Sequence, residues 1–240
     1  MVINVVSLFP DFLREALRVG ILERAEARGV VSYRFASPRD FAVDRHGTVD
    51  DYPYGGGAGM ILMAPPLVEA VESLARQSDH PGHPVILLSP RGRRFDQATA
   101  RRLSREQEFT LICGRYKDVD ERVRDLVVSE EISLGDFVLT GGEPAAICVI
   151  DAVLRLLPDV MSDLESAEAD SFGADKGGLL DWPHYTRPER YRDLAVPAVL
   201  KSGNHAKIES WRRGESLRLT RKHRPDLLAR QGGGEREADQ

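Results

Sequence analysis

Cysteine is scarce in this chain, long apolar runs are missing, and neither sign of charge strongly dominates. The two cysteines, Cys113 and Cys148, fall in no CxxC or Cys/His spacing, which excludes a disulfide framework and a zinc ribbon. Each sits in an apolar string, where a buried free thiol is expected. No apolar stretch approaches the ~20 residues that a membrane helix needs. The first residues, MVINVVSLFPDF, show neither a basic n-region nor a small-residue cleavage site, so a cytoplasmic location is expected. The net charge of −5 argues against a uniformly basic nucleic-acid binder.

What the chain does have is an ordinary core complement, 42% hydrophobic over 240 residues, enough for one large domain or a medium and a small one. Its charge is uneven. Residues 201–230 carry nine Lys/Arg against three Asp/Glu, and residues 159–181 carry seven Asp/Glu against one Lys. A basic stretch of this kind fits either phosphate contact or a solvated helical face.

Strand-like and helix-like segments alternate. Residues 3–9 read as a buried strand, and Pro10-Asp11 opens an amphipathic helix with Leu13, Leu17, Ile21 and Ala25 near helical period. Strands are expected at 30–36, 84–89, 109–113 and 137–140, and helices at 64–76, 96–105, 119–129 and from Pro144 to Leu157. The pattern predicts an α/β fold built on a mainly parallel sheet, spanning residues 1–160. The acidic segment 161–176 reads as a linker, residues 177–240 as a small helical domain, and the last ten residues as a disordered tail.

Three expected strands end in glycine-bearing turns: Ser89-Pro90-Arg91-Gly92-Arg93, Gly114-Arg115-Tyr116, and Thr140-Gly141-Gly142-Glu143 preceded by Leu134-Gly135-Asp136-Phe137. Ligands of open α/β sheets sit outside the carboxyl ends of the strands, and glycine lets the backbone approach them. The same glycines would also serve simple tight turns. The string YGGGAGM at 54–60 is neither a P-loop, since Met60 stands where Lys is required, nor a dinucleotide fingerprint, since GxGxxG fails.

Nine strings carry a family resemblance together. They run from Ser7-Leu8-Phe9-Pro10 through Ser37-Pro38-Arg39-Asp40, Thr48-Val49-Asp50-Asp51 and Pro53-Tyr54-Gly55-Gly56-Gly57. Cys113-Gly114-Arg115-Tyr116, Leu134-Gly135-Asp136-Phe137-Val138-Leu139 and Thr140-Gly141-Gly142-Glu143 follow. Asp170-Ser171-Phe172, Pro183-His184-Tyr185-Thr186-Arg187-Pro188 and Leu200-Lys201-Ser202-Gly203-Asn204-His205 complete the set. In this order and spacing the chain resembles the TrmD family of bacterial tRNA (guanine-N1)-methyltransferases, from about Val2 to Leu228. The resemblance implies a SPOUT-type sheet domain with a trefoil knot, which periodicity would never suggest. It also implies S-adenosylmethionine as methyl donor, a homodimer with the active site shared between subunits, and the guanosine at tRNA position 37 as target.

The resemblance assigns site residues as well. Asp170 would be the base that takes the N1 proton, and Arg155 a cation for charge delocalised onto O6. The donor would contact Gly114 and the run Leu134, Gly135, Asp136, Phe137, Val138 and Leu139, with Leu88, Ser89, Pro90, Tyr116, Gly141 and Gly142 beside them. Basic residues from Arg39 to Arg224 would meet tRNA phosphates, and Tyr54, Trp182 or Tyr185 could stack on a base or pack within a domain. One departure stands out. The family string continues Arg-Tyr-Glu, where a magnesium contact has been placed; here Lys117 follows Tyr116, so a Mg2+ role is in doubt, with Asp118, Glu168 or Asp170 as substitutes. No protein metal site is expected. Two alternatives stay open: a SPOUT ribose 2′-O-methyltransferase and a non-catalytic RNA-binding module.

Overall fold

The structure, a computed structural model, describes residues 1–161, 170–173 and 177–233. Contacts divide the chain into two compact units, Met1–Ser162 and Asp163–Gln240. Most of the expected linker (162–169 and 174–176), including Glu168, and the tail from residue 234 lie outside the described residues.

The first unit is an α/β layered structure. Five strands, Val2–Val6 (β1), Ser32–Ala36 (β2), Val85–Arg94 (β5), Glu108–Cys113 (β6) and Glu130–Ser133 (β8), form one sheet in the order β2-β1-β6-β5-β8. Every neighbouring pair is parallel. β6 is buried at every position, as a strand covered on both faces must be. Side chains alternate between two cores. Val5, Leu111 and Ile86 pack with the helices Pro10–Leu17 (α1), Gly20–Ala27 (α2), Gln97–Leu103 (α4) and Glu143–Leu154 (α6). Val6, Ile112 and Leu87 pack with Ala64–Ala75 (α3) and Glu121–Val127 (α5). A smaller sheet joins Asp50–Asp51 (β3), Ile61–Leu62 (β4) and Asp118–Val119 (β7).

Several expectations need correction. The helix after Pro10 is two helices, because Val19 is extended and Gly20 takes φ +61°. The third predicted strand runs on to Arg94, and opposite it Ile132 faces both Leu88 and Arg93. In that irregularity Gly92 packs so tightly that a Cβ would lie 2.4 Å from the Ile132 backbone nitrogen. The helix predicted over 119–129 begins only at Glu121, capped by the Asp120 carboxylate. Residues 137–140 form no strand; the strand lies earlier, at Glu130–Ser133, where only Ile132 and Ser133 are buried, so the sequence offers no apolar run. Cys113 is buried, but Cys148 is exposed, because the apolar string around it is a helix with an outward face rather than a strand covered on both sides.

The second unit holds a hairpin, Arg190–Tyr191 (β9) with Leu194–Ala195 (β10), and the helices His205–His223 (α7) and Pro225–Gly233 (α8). Asn204 caps α7 by accepting from the Lys207 N–H, and Arg221, Lys222 and His223 sit in its last turn, where the helix dipole favours cations. Among the described residues no helix is long and apolar enough to cross a membrane.

Candidate functional site

The middle of β5 and the carboxyl ends of β6 and β8 converge on a cavity of about 280 Å³. Its walls come from residues 88–91, 114–118, 132–135, 137–142 and Ala145, all within the first unit. This is the place where an open parallel sheet binds ligands, and near the small end of the usual size for such sites. Leu88, Ile132, Leu134, Leu139 and Ala145 give it apolar walls, while Arg91, Lys117 and Asp118 add charge.

The segment between β8 and α6 is held open by local geometry. Ser133 Oγ accepts from the Gly135 N–H, and a Cβ on Gly135 would lie 2.9 Å from the Phe137 ring. No backbone–backbone hydrogen bond engages Val138 or Leu139 among the described residues. Their N–H and C=O groups are therefore available to a ligand, which fits a purine read by backbone donors and acceptors. Gly142 donates to the Gly114 carbonyl at 2.8 Å, and a Cβ there would lie 2.7 Å from the Cys113 Cα, so this contact between the second and third loops requires glycine.

Beneath the cavity lies a charged group that the sequence reading did not single out. Glu143, in the first turn of α6 and 2% exposed, accepts from Ser7 Oγ at 2.8 Å and from Arg115 Nη1 at 3.2 Å. Arg115 in turn lies 4.3 Å over the Phe9 ring. The N-terminal end of the helix dipole also favours the carboxylate. This cluster ties the end of β1 to the loop after β6 and to α6. Its one signal in the sequence was a glutamate opening an otherwise apolar helix.

Every residue expected to contact the donor borders this cavity except Asp136, whose carboxylate points outward to Arg94 Nη2 at 2.7 Å. Tyr116 holds φ +61°, and its hydroxyl is kept neutral, its pKa raised first by burial and then by its hydrogen bond to Asp50. Arg115, Lys117, Asp118, Ile132, Ser133, Thr140 and Ala145 also line the cavity without having been assigned to the donor. Asp118 accepts from Arg124 at 2.9 Å, so its carboxylate is already engaged. Among the described residues no group of three His, Cys, Asp or Glu side chains could hold a metal ion.

The other expected residues fall elsewhere. Arg155 is the half-buried C-cap of α6. Asp170 opens a turn in the second unit, its carbonyl accepting from the Gly173 N–H at 3.0 Å, with Phe172 at φ +66°. That turn is fastened to residues 179–181: Phe172 N–H donates to the Leu179 carbonyl and Asp181 N–H to Ser171 Oγ. Leu180 N–H then reaches Thr220 Oγ1 on α7. Trp182 packs under Arg212 and Tyr185 against Trp211, while Tyr54 is fully exposed.

A sequence profile described as tRNA (Guanine-1)-methyltransferase TrmD matches residues 1–230. Over 228 residues, 95% of the chain, it is 50% identical to a tRNA (guanine-N(1)-)-methyltransferase of Anoxybacillus flavithermus, covering 91% of that protein. Proteins of the same description from Dehalococcoides mccartyi and Geobacter sulfurreducens are each 51% identical over 95% of the chain, covering 90% and 91% of their lengths.

Proposed function

The chain belongs to the tRNA (guanine-1)-methyltransferase family, and on that premise we propose that it methylates N1 of guanosine 37 in tRNA with S-adenosylmethionine as donor. The observation that carries this reading is the extent of the match. It covers both the unit that holds the cavity and the unit that holds the Asp-Ser-Phe turn.

When bound, the donor supplies a methyl group on a sulfonium, which departs as a neutral thioether and needs no acid. The chain's own residues do the rest. The loops at 88–90, 114–116 and 134–142 hold the nucleoside part between apolar walls and unpaired backbone groups. Guanine N1 carries a proton at neutral pH, so Asp170 takes it as methyl transfer proceeds. Negative charge then spreads to O6, where the Arg155 guanidinium stabilises it. The remaining task is positioning. Basic residues of α7, with nine Lys/Arg against three Asp/Glu across 201–230, meet backbone phosphates. The acting form is a homodimer whose active site both subunits complete, working in the cytoplasm.

None of these steps is routed through magnesium. A protonated Lys117 cannot ligate a metal, and Asp118 is engaged by Arg124. The donor set at this rim does not fit a divalent ion.

The test is a position-resolved assay. A tRNA transcript with guanosine at positions 36 and 37 is incubated with the protein and donor, digested, and read by mass spectrometry. N1-methylguanosine at position 37 is the expected product. A ribose 2′-O-methyl product, or methylation elsewhere, overturns the reading.

A further inference from the structure

Three cationic side chains line the cavity, and two of them are committed. Arg91 is clamped by Glu121, with contacts from 2.8 to 3.1 Å. Arg115 is held by Glu143 and stacked on Phe9. Lys117 has no carboxylate within ion-pair distance among the described residues. Its backbone N–H donates to the Met60 carbonyl at 3.1 Å, fixing the residue against the glycine-rich loop. Its ammonium then lies along that loop, 3.7 Å from where a Cβ on Gly57 would stand, with its Cβ 3.6 Å from the same position on Gly59. A Cβ at either glycine would make only ordinary contact with the lysine, but both glycines hold positive φ, a backbone conformation that disfavours a side chain.

The cavity is therefore apolar along one side and carries an uncompensated positive charge at its rim. We infer that Lys117 recognises the carboxylate at the amino-acid end of the methyl donor, and that its charge sets the donor's orientation. This rests on the reading of the cavity as the donor site. The apolar walls suit a purine, and the polar end of such a ligand then meets the charged rim. A free ammonium facing a carboxylate makes a charge-assisted hydrogen bond, stronger than a neutral one. The same ammonium repels a sulfonium. It thus favours the orientation that turns the carboxylate, rather than the sulfur, toward the rim. A glutamate at this position would repel that carboxylate.

Calorimetric binding by the full chain separates the possibilities. The probes are S-adenosylmethionine, its decarboxylated form, which keeps the amine and sulfonium, and 5′-methylthioadenosine, which lacks the amino-acid end. The wild type is expected to favour the carboxylate-bearing ligand over the decarboxylated one by about tenfold. In Lys117→Met that preference falls to roughly twofold, and Lys117→Arg keeps most of it. Affinity for 5′-methylthioadenosine is unchanged in both variants. An undiminished preference in Lys117→Met overturns the inference while leaving the donor site intact. So does an equal loss for all three ligands, which would make the residue a wall of the pocket, or a loss confined to tRNA affinity. If the wild type binds none of the three, the reading of the cavity as the donor site fails, and the inference with it.

Discussion

The Ser7 hydroxyl donates a 2.8 Å hydrogen bond to Glu143 Oε1, joining the end of the first strand to the start of the helix that follows the cavity loop. Arg115 holds the other oxygen of the same carboxylate. Removing Glu143 leaves a half-buried guanidinium and a hydroxyl without their acceptor. Glu143→Ala should cost about 2–3 kcal/mol, and Ser7→Ala about 1 kcal/mol, read by urea unfolding. Donor affinity should weaken in step with Glu143→Ala, because the loops it fastens are the cavity walls. A neutral result in both variants would show that the cluster does not brace the site.

Two glycines should answer alanine in opposite directions. Gly92→Ala places a Cβ 2.4 Å from backbone that cannot move without breaking the β5–β8 pairing, so little folded protein should accumulate. Gly214 sits within α7 with nothing near its Cβ position and no positive φ. Gly214→Ala should therefore stabilise the helix by about 1 kcal/mol. Thermal melts of the two variants test the pair.

Burial pushes the Cys113 thiol pKa well above its ordinary value, with the Glu143 charge adding to the effect. The fold favours the neutral thiol. Its contribution to stability is complete below the unfolded pKa of about 8.5 and is lost as pH rises beyond it. In a Cys148→Ser background, Cys113 should resist alkylation at pH 8 until urea unfolds the protein. Rapid labelling of the native state would mean that the strand opens locally.

Asp170→Asn should slow single-turnover methyl transfer by about 100-fold or more, while tRNA affinity stays within about twofold. A retained rate removes Asp170 as the base. Arg155→Ala should cost roughly 10–100-fold in the same step, with a smaller effect on binding. Equal losses would make it an RNA-positioning residue instead.

Much of the fold was legible in the order of residues. Buried strands read as continuous apolar strings, as in FTLIC at 109–113, and the helices over 64–75 and 97–103 followed from their starts and periods. The strand at Glu130–Ser133 was not legible, because its stability comes from pairing with β5 rather than from an apolar pattern. The same limit placed a strand in residues 137–140, where Val138 and Leu139 instead keep their backbone groups unpaired at the cavity.

The site divides in the same way. The sequence by itself determined the family, the glycine-bearing loops after β6 and β8, and the exchange that puts Lys117 after Tyr116, since these are matters of residue type and spacing. Tertiary structure alone decided that these loops share one cavity with the middle of β5, that Asp136 turns away to Arg94, and that Glu143 is buried between Ser7 and Arg115. It also left Lys117, among the cations lining that cavity, without a carboxylate. Whether a charge is spent within the fold or available to a ligand depends on its neighbours in space, and spacing along the chain does not record them.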